Sequence, residues 1–144
     1  MTPQQIQRVQ HSLELIAPQA DLVATRFYDH LLTRHPALRP LFRHTDIRLQ
    51  GLALMRMIVW AVQRLDNTAE LLPALRELGA RHVRYGVRAE HYAWVGASLL
   101  DTLAWSLGPD FTPELHDAWA AVYGVVAQTM QETTPEREPE LRAA

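Results

Sequence analysis

The chain has 144 residues, 48% of them hydrophobic and 21% charged, with a formal net charge of −2. That is enough chain for one domain with a core of ordinary size, and the charge balance gives no attraction for nucleic acid or an anionic membrane. Cysteine is absent, which excludes disulfides, thiolate metal sites and cysteine catalysis. All fourteen basic residues are Arg, a bias with no functional reading. No apolar run approaches the roughly 20 residues of a membrane span. The polar start Met1-Thr2-Pro3-Gln4-Gln5 has no signal-peptide pattern, so a cytoplasmic protein is expected.

In chain order, Thr2-Pro3-Gln4-Gln5 starts a helix, with Thr2 as cap, Pro3 at the first helical position and Gln5 completing a capping box. Ile6, Val9, Leu13 and Ile16 follow at helical spacing. Pro18 breaks the pattern, and a second helix is expected over 20–34 with Leu22, Phe27, Tyr28 and Leu31 as its apolar and aromatic members. Pro36 and Pro40 bracket a short helical turn ending in Leu41-Phe42. The polar stretch 43–47 is a loop, with Thr45 or Asp46 available to cap the next helix. That third helix covers 47–65 and carries Leu54, Ile58, Val62 and Leu65.

Asp66-Asn67-Thr68 interrupts the helical pattern. A fourth helix runs from 69 to 82 and stops near Tyr85-Gly86. The fifth, over 89–107, holds Val95, Leu99 and Leu103 on one face and ends at Gly108-Pro109. Thr112-Pro113-Glu114 repeats the cap-then-proline start, and Leu115, Trp119, Val122 and Val126 carry the last helix to about 132. The tail 133–144 has alternating charges, two prolines and little to bury. No strand pattern and no internal repeat occur, so the class is all-α with six or seven helices.

Residue by residue, the chemistry is ambiguous. His82 between Arg81 and Arg84 reads as a solvated histidine at a helix end, leaning from a fraying last turn. Tyr28 reads as a core tyrosine, and Gln50 as a surface glutamine. Gln50 and Leu54, four apart, share one helix face. A flat apolar cofactor lying between that helix and the one bearing His82 would meet His82 on one side and Gln50 and Leu54 on the other.

The set as a whole resembles the bacterial single-domain globins related to the haem domain of flavohaemoglobins. The matching segments are Phe27-Tyr28, His35-Pro36 through Leu41-Phe42, Gln50 to Leu54, Leu72 to Leu75, Leu78-Gly79, Arg81-His82, Tyr85 to Val87, His91-Tyr92, Val95-Gly96, Leu99-Leu100, Ala118-Trp119 and Tyr123-Gly124. The resemblance implies a globin fold, a three-on-three helical sandwich over 1–132 with a flexible tail over 133–144, and noncovalently bound haem b. It implies His82 as the proximal iron ligand, and Tyr92 as its support, with Glu136 near the position of a supporting carboxylate. Tyr28 and Gln50 then resemble the distal pair that stabilises a bound ligand. Phe42 and Leu54 resemble the apolar walls of the pocket, joined by Val95 and Leu99. Arg81 and Arg84 are placed to meet the propionates.

Aligned without a gap, the loop after Phe42 puts Leu52 at the distal position. A change of loop length restores Gln50 and Leu54, and the spacing to His82 favours it. His44 in that loop is a further possible sixth ligand. The function implied is binding of dioxygen, nitric oxide and carbon monoxide, with Tyr28 and Gln50 giving tight oxygen binding and supporting nitric oxide dioxygenation. The 144 residues hold no glycine-rich nucleotide motif, so a separate reductase is expected. The alternative is a haem-based gas sensor or electron-transfer globin.

Overall fold

The computed structural model describes residues 1–132. Its order is α1 (Pro3–Ile16), a 3-10 turn (Ala17–Gln19), α2 (Ala20–Arg34), a 3-10 segment (Pro36–Phe42), α3 (Ile47–Gln63), α4 (Thr68–Arg84), α5 (Ala89–Leu107), a 3-10 turn (Gly108–Asp110) and α6 (Pro113–Gln131). No strand occurs among the described residues. The helix starts follow the local chemistry. Thr2 and Gln5 form a reciprocal capping box, with bonds of 2.9 and 3.1 Å. Thr112 Oγ1 accepts from the Leu115 amide at 3.2 Å. Asp46, one of the two caps expected for α3, accepts from the amides of Arg48 and Leu49.

The helices pack in two layers. One holds α1, α3 and α4, the other α2, α5 and α6, with α1 and α4 lying on α6 and α3 lying on α2. This is the three-on-three sandwich. Two glycines allow the closest crossings. A Cβ on Gly79 of α4 would fall 1.9 Å from the Met130 carbonyl of α6, so only glycine lets these helices meet there. A Cβ on Gly51 of α3 would lie 3.0 Å from the Ala24 Cβ of α2.

The main core joins Val9, Leu13 and Ile16 of α1 to Leu71, Leu75, Leu103 and Trp119. The Trp119 indole donates to Ser12 Oγ at 2.9 Å, and that hydroxyl donates to the Val9 carbonyl at 2.8 Å. One expected inward residue is turned out. Leu22 is 51% exposed, because Val23, Phe27 and Leu31, spaced by four, set the inward face of α2.

Candidate functional site

A second hydrophobic cluster gathers Phe27, Tyr28 and Leu31 of α2 with Leu38, and half-buried Phe42, Ile47, Leu54, Val95 and Leu99 pack against it. Five expected site residues from four segments therefore meet. Pro36 and Pro40 keep the chain in a tight 3-10 path whose last residue is Phe42. The Phe42 ring meets Tyr28 edge-on with centroids 5.6 Å apart, and Phe27 does the same at 5.0 Å.

Gln50 reaches Tyr28 through the helix crossing. Gly51 lets α3 close on Ala24, and Tyr28 is one turn beyond Ala24 on α2. Burial pushes the Tyr28 phenol above its usual range, and the Gln50 side chain beside its hydroxyl tempers that rise. With burial the larger effect, the hydroxyl stays neutral and keeps its proton to donate.

His82 stands on the other helix. Rather than leaning from a frayed end, it sits in an ordered last turn. The Val87 amide donates to the His82 carbonyl at 3.0 Å and the Gly86 amide to the Val83 carbonyl at 3.0 Å, with Gly86 at φ 91°. That is a Schellman ending with glycine in the left-handed region. The imidazole Nδ1 lies 2.8 Å from the Leu78 carbonyl. A carbonyl only accepts, so Nδ1 carries the proton and Nε2 keeps its lone pair. Burial holds the imidazole pKa below its usual value; the Leu78 bond works against this, and the Arg81 charge adds to it. Nε2 has no partner among the described residues.

α3 and α4 follow each other in the chain yet barely touch, since α3 lies on α2 and α4 on α6. The chemistry on either side of this separation fits haem. A neutral imidazole offers a ligand nitrogen fixed by its second-sphere bond. The Tyr28 cluster offers apolar side chains left half-covered, and a phenol donor still free to bond.

The remaining expected residues divide. Tyr92 is half-buried, and burial pushes its phenol up. No hydrogen bond links it to His82 among the described residues. Its carbonyl instead accepts from the Tyr123 hydroxyl at 2.6 Å. Tyr123 fits because Gly96 has no Cβ, which would lie 2.7 Å from its ring. Burial first, and Tyr92 second, push the Tyr123 phenol far above its usual range. Periodicity alone did not single out this tyrosine pair. Arg81 and Arg84 are exposed and have no ion-pair partner among the described residues, and His44 is exposed in its loop. Glu136 and the tail expected over 133–144 lie outside the described residues.

The globin family model matches residues 25–130. The flavohemoprotein of Bordetella parapertussis is 34% identical over 132 residues, covering 90% of this chain and 33% of that protein. The flavohemoprotein of Bacillus subtilis is 29% identical over 124 residues, covering 85% of this chain and 31% of its own length. The chain thus spans about a third of the length of these curated relatives. Among solved structures, an engineered carbene transferase derived from a candidate nitric oxide dioxygenase of Rhodothermus marinus superposes with a TM-score of 0.84. It is 26% identical, and the match covers 100% of this chain and 99% of that one. The chain belongs to the globin family, and its prosthetic group is haem b.

Proposed function

We propose that this globin binds dioxygen tightly through Tyr28 and Gln50, and that it supports nitric oxide dioxygenation with electrons from a separate reductase. When bound, haem b would supply an iron able to take a diatomic ligand, and the redox chemistry by which dioxygen, nitric oxide and one electron from the reductase give nitrate. His82 would hold the group through Nε2, with the Leu78 carbonyl keeping the ring in the required tautomer. Phe42, Leu54, Val95 and Leu99 supply an apolar lining that excludes water. Arg81 and Arg84, exposed in the last turn of α4 and without an ion-pair partner among the described residues, would be available to the propionates.

The observation that carries this reading is the Tyr28 hydroxyl. It is buried among apolar groups, kept neutral, and accompanied by one amide side chain. A phenol in that setting would donate to dioxygen as it takes on partial negative charge. Carbon monoxide carries less charge and gains less. The flavohemoprotein relatives are about three times longer than the stretch they share with this chain, which supports a reductase as the supply of electrons.

The test is the visible spectrum of the purified protein, oxidised, then reduced, then exposed to air. The expected result is a five-coordinate reduced form that takes up dioxygen and releases it slowly. With an added reductase, nitric oxide should then disappear with matching formation of nitrate. A six-coordinate low-spin reduced spectrum would place a protein side chain on the iron and overturn the reading.

A further inference from the structure

The arginines are unevenly placed. Residues 34–48 and 81–90 hold seven of the fourteen Arg and only two of the sixteen acidic residues. The other described residues hold five Arg and eleven acidic residues, so a positive end is set against a negative body. All seven arginines are exposed. Among the described residues only Arg88 has an ion-pair partner, Glu90 at 3.8 Å, and that pair lies in solvent, where it contributes little. The two segments form one surface. A Cβ on Gly86 would lie 3.2 Å from Leu41 Cδ2, and the His35 ring stacks on Trp94 of α5 with centroids 4.3 Å apart. The 3-10 segment therefore lies against the turn between α4 and α5. The two most exposed large apolar side chains among the described residues adjoin these arginines: Tyr85, 63% exposed, follows Arg84, and Leu49, 60% exposed, follows Arg48.

We propose that this basic face is the docking surface for an electron-donor protein whose own surface is acidic. That role rests on the haem-globin reading above. α3 begins and α4 ends at this face, so a partner seated on it meets the edge of the space that reading gives to haem. In the transfer the donor loses one electron and ferric haem iron gains it. With Arg81 and Arg84 turned to the propionates, five arginines remain for the partner. The division of charge turns an acidic protein toward this end before contact. Tyr85 and Leu49 favour a protein over nucleic acid. Apolar anchors within a charged rim belong to protein interfaces, whereas a phosphate backbone meets arginines alone.

Two charge-matched double variants of the haem-loaded protein test it. The probe is a plant-type ferredoxin, a low-potential one-electron carrier with an acidic surface. Arg39→Glu/Arg43→Glu reverses two charges on the face, and Arg8→Glu/Arg56→Glu reverses two exposed charges on the body. At low salt, stopped-flow reduction of the ferric protein by reduced ferredoxin should slow roughly tenfold or more in the first variant and less than about twofold in the second. The difference should vanish near about 0.5 M salt. Calorimetric titration with oxidised ferredoxin should rank the affinities in the same order, and reduction by dithionite should be alike in all three proteins. Equal slowing in both variants would mean that net charge alone acts, and would overturn the face; no slowing in either would overturn it too. A duplex oligonucleotide or phosphatidylserine vesicles bound as tightly as ferredoxin at the same salt would overturn the choice of partner. If Arg39→Glu/Arg43→Glu fails to fold, Arg39→Gln/Arg43→Gln decides. A protein with no Soret band after haem addition would instead overturn the haem reading, and the titration would still decide whether the face takes an acidic protein.

Discussion

The two hydrophobic clusters are built by the same kinds of residues and finished to different degrees. Around Trp119 the core is complete: Val9, Leu71 and Leu75 are at 0% exposure, and the one indole N–H is bonded to a buried hydroxyl. Around Tyr28, only Phe27, Tyr28, Leu31 and Leu38 are fully buried. Phe42, Leu54, Val95 and Leu99 stay half-covered, and the polar side chain beside the phenol is that of Gln50. Leu99 packs against both clusters. One end of the molecule therefore holds the helices together, and the other keeps uncovered apolar surface and donor capacity, which the proposed function assigns to haem and its ligand. Stability and ligand chemistry should separate along that boundary.

The sharpest break comes from the proximal side. His82→Ala should abolish stable haem retention, leaving little Soret absorbance after gel filtration. Far-ultraviolet circular dichroism should stay helical, because the Schellman ending of α4 uses the His82 backbone and not its ring. Full haem loading with an unaltered spectrum would remove His82 from the site. Next in size is the complete core. Leu75→Ala should destabilise the protein by about 2–5 kcal/mol in urea unfolding. Leu54→Ala, trimming a half-buried side chain, should cost about 1 kcal/mol while altering ligand kinetics. Equal losses from the two would mean that the clusters are one core.

Much of this was readable from the chain alone, for reasons that are local. Thr2-Pro3, Thr112-Pro113 and Asp46 announce helix starts because a cap needs only residues within one turn. Tyr28, Phe42, Leu54, Val95 and Leu99 were expected at one site, and the fold gathers them. What was not readable depends on contacts between distant segments. Leu22 and Val23 are adjacent and both apolar, and only packing decides which turns inward. The seat of Tyr123 on Gly96, and the passage of Gly79 over Met130, need two helices in place at once. The ordered turn at His82 depends on Gly86 adopting a positive φ, which a glycine in sequence permits without requiring.

On the distal side, Tyr28→Phe should speed dioxygen release about tenfold or more, since a hydrogen bond to a charged group contributes about 1.5–3 kcal/mol. Carbon monoxide release should change far less, and thermal stability should stay nearly constant because the ring keeps its edge contacts with Phe27 and Phe42. Stopped-flow displacement reads both rates. Equal changes for the two gases would point to altered packing in place of a lost donor.

The smallest effect belongs to Gln50, and its pattern is more informative than its size. Gln50→Leu keeps a similar shape and removes the amide. Dioxygen release should rise only about threefold, in line with the roughly 0.5–1.5 kcal/mol of a neutral hydrogen bond. Two mechanisms predict that same number. Gln50 either bonds the ligand itself, or holds the Tyr28 hydroxyl toward it, as its effect on the phenol suggests. The double variant separates them, because residues acting through one another are not additive. If Gln50 works by orienting Tyr28, then Gln50→Leu on the Tyr28→Phe background should change nothing further, since no hydroxyl remains to orient. If it bonds the ligand directly, the threefold step should persist in full. The effect of Gln50 on the phenol favours the first outcome, because it marks the amide as directed at the Tyr28 hydroxyl.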